Sequence, residues 1–392
     1  MAGKPMVPID PAHLAAELIR FPSVTPQDAG AIPFLARALE GLGFACETME
    51  FAEPGTDKVL NLYARLGKTG RNFCFAGHTD VVPPGNPAAW SSGPFEAAQR
   101  DGVLIGRGAA DMKGAIACFA AAVSRFLASR GQEFGGSISL LITGDEEAAA
   151  VNGTRKVLEW LKQRGEKLDA CVVGEPTSVN KLGDTIKIGR RGSLNGYLTV
   201  RGIQGHTAYP QFADNAAHRL AAMLHALVAT PIDQGSANFE PSNLQISTVD
   251  VGNPAANVIP DTARAVFNIR FNDKWTSAKL ENWTRALLDK SGGRYELEIK
   301  VSGESFIVPR GEVSRMLTEA VKRVTGLTPS LGTGGGTSDA RFIQAYCPVA
   351  EFGLVGESAH KVDERASLQD IENLTEIYRN VLELYFPRNA GR

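Results

Sequence analysis

Short, continuously apolar segments alternate with helical segments through the first half of the chain. NFCFAG and SISLLITG have the length and composition of buried strands, whereas GAIACFAAAVSRFLAS and TRKVLEWLKQRG repeat their apolar positions at helical spacing. Strands that are apolar at nearly every position are typical of a sheet covered by helices on both faces. We therefore predict an α/β domain whose sheet is covered by helices.

The pattern changes near Arg191 and changes back near Phe306. The intervening segments read strand, helix, strand, strand, helix and strand, which is the split βαβ arrangement of a ferredoxin-like α+β domain. A chain of 392 residues also exceeds the usual size of a single hydrophobic core. We therefore predict a discontinuous domain of residues 1–191 and 305–392, with a second domain of residues 192–304 inserted into it.

The overall composition excludes several classes of protein. The 41 basic and 43 acidic residues leave a net charge of -2, which gives no long-range attraction for nucleic acid. No segment has 18 consecutive apolar residues, and the start of the chain lacks the apolar core of a secretory leader, so we expect a cytoplasmic protein with no membrane partner. The five cysteines are widely spaced without a CxxC pair, which favours buried thiols over disulfides.

Carboxylates and imidazoles follow the predicted strands or open the predicted helices. Each has an ordinary structural interpretation by itself, such as a helix cap or a solvated loop. In a sheet of this type, however, the carboxyl ends of the strands meet at one edge, and like charges that converge there need a cation. The residues concerned are His78, Asp80, Asp111, Glu146, Glu147, Glu175 and His360.

This set of nitrogen and oxygen donors suits zinc, cobalt or manganese. One carboxylate between two such ions would give a two-metal hydrolase site. Asp80 follows His78 by two residues, so it points to the same side of an extended segment. We expect its carboxylate to hold the imidazole N–H that faces away from the metal.

The ordered motifs resemble those of the dinuclear zinc aminoacylase and carboxypeptidase family over nearly the whole chain. The motifs are GHTDVVPPG, GRGAADMKGA, TGDEE, VVGEPT and SAHKVDE. The resemblance implies a zinc-exopeptidase-like catalytic domain with a mixed sheet, and it implies that the inserted ferredoxin-like domain forms a homodimer through residues 192–304.

The same resemblance implies two zinc ions per subunit, with cobalt possible in the second site. His78 and Glu175 would bind one ion, Glu147 and His360 would bind the other, and Asp111 would bridge both.

The resemblance further implies catalytic roles for residues beside these ligands. Glu146 would be the general base, and Asp80 would orient His78. The peptide bond after Asp111 would be cis.

Two stretches outside the metal ligands bear on the substrate. In KIGRRGS a guanidinium such as that of Arg190 can clamp a carboxylate, and in GGGTSDARF the glycines and hydroxyls can donate to one. The resemblance implies a small acidic N-acyl amino acid as the substrate. The contacts expected from these stretches are Arg190, Ser193, Gly336, Thr337 and Ser338.

The inserted domain supplies the remaining expected contacts. His206 in GIQGHTAYP resembles a family histidine that reaches the active site of the partner subunit and stabilises the oxyanion. Asn257 and Arg270 match positions that contact the substrate.

Three alternatives remain open at this stage. The chain could hydrolyse another N-acyl amino acid, such as N-acetylornithine, or a dipeptide. It could also be a metal-dependent binding protein without catalysis, although such a protein could dispense with Glu146, which is present. A phosphate loop at GTGGGTSD is disfavoured because no lysine follows the glycines.

Overall fold

The computed structural model describes residues 8–388, so the first seven and last four residues of the predicted outer domain lie outside the described part. The chain forms two compact units. The first comprises the chain up to Ile188, Val308–Gly332 and the chain from Ser338 onward. The second comprises Gly189–Ile307 and the short segment Thr333–Thr337, which the sequence pattern had assigned to the outer domain.

The elements follow one another in the alternation that the sequence indicated. The helices are α1 (Pro11–Ile19), α2 (Ala31–Glu40), α3 (Lys113–Arg130), α4 (Thr154–Gln163), α5 (Ala216–Ala229), α6 (Ser277–Ser291), α7 (Glu312–Thr325), α8 (Ala340–Ile343) and α9 (Leu368–Tyr385). The strands are β1 (Ala45–Phe51), β2 (Val59–Leu66), β3 (Asn72–His78), β4 (Ala98–Arg100), β5 (Val103–Ile105), β6 (Ser137–Thr143), β7 (Ala170–Val173), β8 (Thr185–Lys187), β9 (Gly189–Arg190), β10 (Gly192–Arg201), β11 (Gly205–His206), β12 (Asn243–Asp250), β13 (Val258–Ile259), β14 (Thr262–Phe271), β15 (Arg294–Gly303), β16 (Phe306–Ile307), β17 (Ser330–Gly332), β18 (Val349–Glu351) and β19 (Arg365–Ser367).

The first unit is built on an eight-stranded mixed sheet with the order β1-β2-β6-β3-β7-β18-β8-β17. Its centre is parallel, because β3 pairs in parallel with both β6 and β7 and β7 pairs in parallel with β18. Antiparallel pairs join β1 to β2 and β2 to β6. The predicted fold class, an α/β domain with a mixed sheet and helices, is confirmed.

The central strands are held by the packing of aromatic residues against buried helices. Every residue of β3 and β6 is buried, as the apolar segments predicted. Phe75 of β3 stacks on Phe119 of α3 at 4.5 Å between ring centroids, and Tyr378 of α9 packs edge-on against both rings. Truncating such a buried ring costs about 3–5 kcal/mol. This packing fixes the end of β3 and the beginning of α3.

A small three-stranded sheet in the first unit joins distant parts of the sequence. Its order is β19-β5-β4, and both pairs are antiparallel. Arg365 of β19 lies opposite Ile105 of β5. The segments that contain the predicted ligands Asp111 and His360 are therefore brought side by side.

The second unit contains a four-stranded antiparallel sheet with the order β12-β14-β10-β15. This is the strand order of a ferredoxin-like domain built from the predicted β-α-β-β-α-β sequence. Apolar residues alternate along β10, so that Leu194, Leu198 and Val200 enter a core with Phe267 of β14 and Leu220 of α5.

The cysteines agree with the buried thiols that the composition predicted. All five cysteines are free thiols, and four of them are buried. Burial raises the pKa of Cys118 to about 12, so this thiol is not reactive near neutral pH. Within residues 8–388, no helix combines the length and the apolar character that crossing a membrane requires.

Candidate metal centre

The seven predicted polar residues of the first unit lie together where neighbouring strands end. His78 is the last residue of β3, Glu146 and Glu147 follow β6, and Glu175 follows β7. These three strands are adjacent and parallel, so their carboxyl ends share one edge of the sheet. Asp111 lies just before α3, and its side chain lies close to that of His78.

Two groups of side chains could each hold a metal ion. One consists of His78, Asp111 and Glu175, the other of Asp111, Glu147 and His360, and the donor atoms within each group lie within 4.8 Å of one another. His78 Nε2 lies 3.3 Å from Asp111 Oδ1, while His360 Nε2 lies 3.2 Å from Asp111 Oδ2. Asp111 therefore offers one oxygen to each group, as a bridging carboxylate does.

Two further observations indicate that the donor atoms are suited to divalent cations. Among the described residues, His78 Nε2 and Asp111 Oδ1 are buried without a hydrogen-bond partner. Buried polar atoms normally have partners, so these two are oriented towards a group that accepts electron pairs. A mixed set of imidazole and carboxylate donors suits zinc, cobalt or manganese.

Close carboxylates change the pKa values of both histidines. Burial alone would lower the pKa of His78, but Asp111, Asp80 and Glu146 raise it well above its ordinary value. Hydrogen bonds to Asp111 and Glu147 raise the pKa of His360 to about 10. In the absence of a metal, the carboxylates that surround the two rings therefore favour the protonated form of each histidine.

The tautomer of His78 is set by a backbone atom and not by the predicted carboxylate. Its Nδ1 lies 2.9 Å from the backbone carbonyl oxygen of Asp80, which can only accept. Nδ1 therefore carries a proton, and the neutral ring presents its lone pair at Nε2. The Asp80 carboxylate lies 3.6 Å from Nδ1, so the expected contact with this carboxylate is corrected to one with the carbonyl.

The Asp80 carboxylate instead holds the loop after β6. It accepts hydrogen bonds from the backbone N–H groups of Glu146 at 3.2 Å and Glu147 at 3.0 Å. Burial raises the pKa of Asp80 to about 6. Asp80 therefore orients the predicted base and a predicted ligand through their backbone.

The surroundings of Glu146 favour the protonated form of its carboxyl group. Its Oε2 lies 4.0 Å from His78 Nε2. Burial first, and then the negative charge of Glu175, raise the pKa of Glu146 well above its ordinary value. A carboxyl group with a raised pKa can take up a proton and hold it long enough to pass it on.

Two buried aspartates that we did not select from the sequence support the same loop. Asp145 accepts hydrogen bonds from the backbone N–H groups of residues 150, 151 and 152. Asp339 accepts from Thr154 Oγ1 at 2.6 Å, and its charge is a further cause of the raised pKa of Glu146. Asp145 lies in the motif TGDEE and Asp339 in the stretch GGGTSDARF. The sequence alone does not indicate that either aspartate is buried.

The environment of Ser338 differs from the one expected of a substrate contact. It is fully buried in the first unit, and its hydroxyl donates to Glu351 Oε1 at 2.8 Å. The hydroxyl therefore has a protein partner, and we do not keep it as a substrate contact.

The second unit brings together several predicted substrate contacts. Arg190 Nη1 donates to the backbone carbonyl of Gly336 at 3.1 Å, so the glycine-rich segment lies against the guanidinium. A Cβ atom at Gly335 would lie 2.9 Å from that Nη1, and its φ of +97° also favours glycine. Thr337 ends this segment, next to Gly336.

Arg270 and Ser193 form a separate polar pair in the second unit. The two residues lie opposite each other on β14 and β10, and Asn268 donates to Ser193 Oγ and accepts from Arg270 Nε. Burial, followed by the charge of Arg191, lowers the pKa of Arg270. Cationic groups therefore lie close together in this unit, and an anionic ligand would relieve their repulsion.

His206 and Asn257 are neighbours in a two-stranded ribbon. His206 pairs with Val258, and the backbone carbonyl of Asn257 accepts from the N–H of Thr207 at 3.0 Å. His206 is exposed, and its Nδ1 accepts from the backbone N–H of Ala208 at 3.0 Å. The neutral ring consequently carries its proton on Nε2, which can donate to an oxyanion.

The remaining expectation on the backbone is met. The peptide bond between Asp111 and Met112 is cis, as the resemblance implied.

The chain is similar in sequence to named bacterial enzymes over almost its whole length. It is 58% identical to a succinyl-diaminopimelate desuccinylase of Rhodospirillum centenum, with 96% of this chain and 97% of the relative covered. It is 56% identical to a succinyl-diaminopimelate desuccinylase of Parvibaculum lavamentivorans, with 100% and 98% covered.

Solved structures with lower identity share the fold. A metallo-carboxypeptidase of family M20 from Sulfolobus solfataricus has a TM-score of 0.79 at 17% identity, with 96% of this chain and 99% of that chain covered. A dinuclear metal binding peptidase of family M20 from Bacillus subtilis has a TM-score of 0.66 at 18% identity, with 96% of each chain covered.

The family model described as Peptidase family M20/M25/M40 matches residues 74–384, which include the seven polar residues of the candidate centre. The predicted family and the prediction of a hydrolase are thereby confirmed. This chain belongs to the peptidase family M20/M25/M40.

Proposed function

We propose that this chain hydrolyses the amide of N-succinyl-LL-2,6-diaminopimelate to succinate and LL-2,6-diaminopimelate, a step in the biosynthesis of diaminopimelate and lysine. The observation that carries the proposal is a pair of candidate metal groups that share Asp111, with Glu146 beside them. The names of relatives that are 58% and 56% identical over nearly their whole length support the choice of substrate.

The proposed centre holds two zinc ions per subunit. His78 and Glu175 would bind one ion, Glu147 and His360 the other, with Asp111 between them, and cobalt could replace zinc in the second site. When bound, such ions polarise the carbonyl of the scissile amide and lower the pKa of water. The buried Nε2 of His78 and Oδ1 of Asp111 support this assignment, because both lack another partner within residues 8–388.

Glu146 serves as the general base and then as the general acid. Its carboxylate takes one proton from the attacking water as the hydroxyl adds to the acyl carbon. It then gives this proton to the leaving nitrogen as the C–N bond breaks. The raised pKa of Glu146 supports the first transfer, because burial and the charge of Glu175 favour the protonated carboxyl group that forms when the water gives up its proton.

The carboxylates of the substrate are bound by cationic and polar groups of the second unit. Arg190, Ser193 and Arg270, with the backbone of Gly336 and Thr337, are suited to this because guanidinium groups pair with carboxylates in a two-pronged geometry.

Two residues of the ribbon act on the other part of the substrate. His206 would donate its Nε2 proton to the oxyanion, and Asn257 would contact the substrate beside it. In this proposal the chain forms a homodimer through residues 192–304, and His206 acts in the active site of the partner subunit. The five free thiols favour a cytoplasmic location, where cysteines stay reduced.

The test is a comparison of two substrates on one preparation. The protein is stripped with a chelator, refilled with zinc, and assayed with N-succinyl-LL-2,6-diaminopimelate and with N-acetylornithine. Zinc-dependent turnover of the succinylated substrate alone is the expected result. Preference for N-acetylornithine would overturn the substrate, and no turnover of either would favour a dipeptidase or a binding protein.

A further inference from the structure

Arg107 and Glu364 form a buried ion pair beside the candidate metal centre. Their side chains are 2% and 0% exposed, and Arg107 Nη1 lies 2.6 Å from Glu364 Oε2. The antiparallel pairing of β5 with β19 brings them together, because both residues lie just beyond this pairing and the N–H of Gly106 donates to the Glu364 carbonyl at 2.8 Å.

The second oxygen of Glu364 holds the backbone at the shared ligand. Oε1 accepts hydrogen bonds from the N–H groups of Ala110 and Asp111, both at 3.0 Å. These residues precede α3 in a turn, so their N–H groups are not part of a helical ladder. The Glu364 carboxylate therefore determines where the backbone of Asp111 lies.

The second nitrogen of Arg107 holds two other segments that carry ligands. Nη2 donates to the backbone carbonyls of Pro83 and His360, both at 3.4 Å. Pro83 lies in the loop that follows His78. The guanidinium also lies 5.3 Å from the ring of Trp90, which limits its movement.

We propose that the Arg107–Glu364 pair is a positioning device for the metal centre, which joins the segments bearing His78, Asp111 and His360 before any metal binds. A buried ion pair is costly to desolvate, and apolar side chains of similar size could stabilise the fold equally well. What apolar side chains cannot supply is a planar fork that reaches one carboxylate and two carbonyls together. The geometry of the ligands is therefore the property that the pair contributes.

The inference rests on the proposed metal-dependent function, but metal affinity tests it without any substrate. Arg107→Lys keeps the charge and the ion pair but loses the fork. The matched control is Arg130→Lys, because Arg130 also pairs with a glutamate, at 2.9 Å to Glu383, and donates to a backbone carbonyl, at 2.8 Å to Phe386. Arg130 belongs to α3 at the end remote in sequence from Asp111.

Zinc affinity is measured on chelator-stripped protein by competition with a chromophoric chelator, together with the thermal unfolding midpoint of each metal-free variant. Arg107→Lys is expected to weaken zinc binding by about 10-fold or more, as loss of a group that orients a ligand usually does. Arg130→Lys is expected to lower the unfolding midpoint but to leave the zinc affinity unchanged. Equal zinc affinity in both variants would overturn the proposal.

Glu364→Gln provides a second, independent variant. It keeps an oxygen for the two N–H groups but loses the charge that faces Arg107, and it should weaken the binding of both zinc ions because Asp111 belongs to both groups. If both substitutions prevented folding while Arg130→Lys folded, the pair would be a requirement of the fold and the proposal would be wrong. Normal zinc binding by the unsubstituted protein without hydrolysis of the succinylated substrate would instead refute only the proposed function.

Discussion

The carboxylate of Asp80 accepts a 3.0 Å hydrogen bond from the backbone N–H of Glu147. The same residue holds His78 through its backbone carbonyl. One residue therefore connects the end of β3, which carries a ligand of the first candidate group, with the loop after β6, which carries a ligand of the second.

Asp80→Asn should impair this connection. The amide NH2 that replaces one carboxylate oxygen cannot accept a hydrogen bond from a backbone N–H. The backbone carbonyl of residue 80, which sets the tautomer of His78, remains. We expect kcat to fall by about 10- to 100-fold, with a larger loss of metal from the Glu147 group than from the His78 group. Turnover and metal content of the purified variant would check this, and an unchanged kcat in a folded variant would be against it.

Glu146→Gln should separate catalysis from metal binding. The substitution keeps the shape of the side chain but removes its capacity to accept a proton, so we expect kcat to fall by about 10²- to 10⁴-fold. Both metal ions should remain bound. Glu147→Gln is the matched control, since it should lose metal as well as turnover; near-normal turnover of the Glu146 variant would remove the proposed base.

Metal binding should release protons. In the metal-free chain the pKa of His360 is raised to about 10 and that of His78 is raised well above its ordinary value, because nearby carboxylates favour the protonated form of both rings. A metal ion binds only the neutral ring, and therefore zinc affinity should increase with pH below the raised pKa values.

Calorimetric titration in buffers of different ionisation enthalpy measures this release. We expect a net release of protons at pH 7 when both sites fill, because each histidine must be neutral to bind a metal ion. Binding without any net proton release would show that the histidines are already neutral or are not ligands.

His206→Ala should reduce turnover and leave zinc content intact. Removal of one donor to an oxyanion typically costs about 10²- to 10³-fold in kcat. His218→Ala is a suitable control, because His218 is also an exposed histidine of the second unit.

A mixing experiment tests in which subunit His206 acts. Chains with His206→Ala keep Glu146, and chains with Glu146→Gln keep His206. If His206 acts across a dimer, refolding the two impaired variants together should give more activity than either variant has alone. If the mixture shows no more activity than the separate variants although mixed dimers form, His206 acts within its own chain or not at all.

The sequence predicted those features that follow from local pattern. The buried strands β3 and β6 were visible as uninterrupted apolar runs, and the residues after them were recognisable because parallel strands deliver their ends to one edge. The split βαβ order was also visible, since each segment carried its own periodicity.

Contacts that depend on the local backbone conformation, or that join distant segments, could not be predicted in this way. Asp80 lies two residues after His78, and both its backbone carbonyl and its carboxylate can reach the imidazole ring. Only the conformation of the backbone decides which of them binds the ring. The pairing of Arg107 with Glu364 depends on the register of two strands that lie far apart in the sequence. From the sequence, the Ser338 hydroxyl was expected to be available to a substrate, because no local pattern indicates its hydrogen bond to Glu351.

The most direct test is the turnover of N-succinyl-LL-2,6-diaminopimelate measured against the number of zinc ions bound per chain, with Asp111→Asn titrated in parallel. The account predicts no turnover without metal, full activity at two ions per chain, and loss of both ions in the Asp111 variant because that residue is shared. Undiminished hydrolysis by the metal-free protein, or normal binding of two ions by the Asp111 variant, would contradict it.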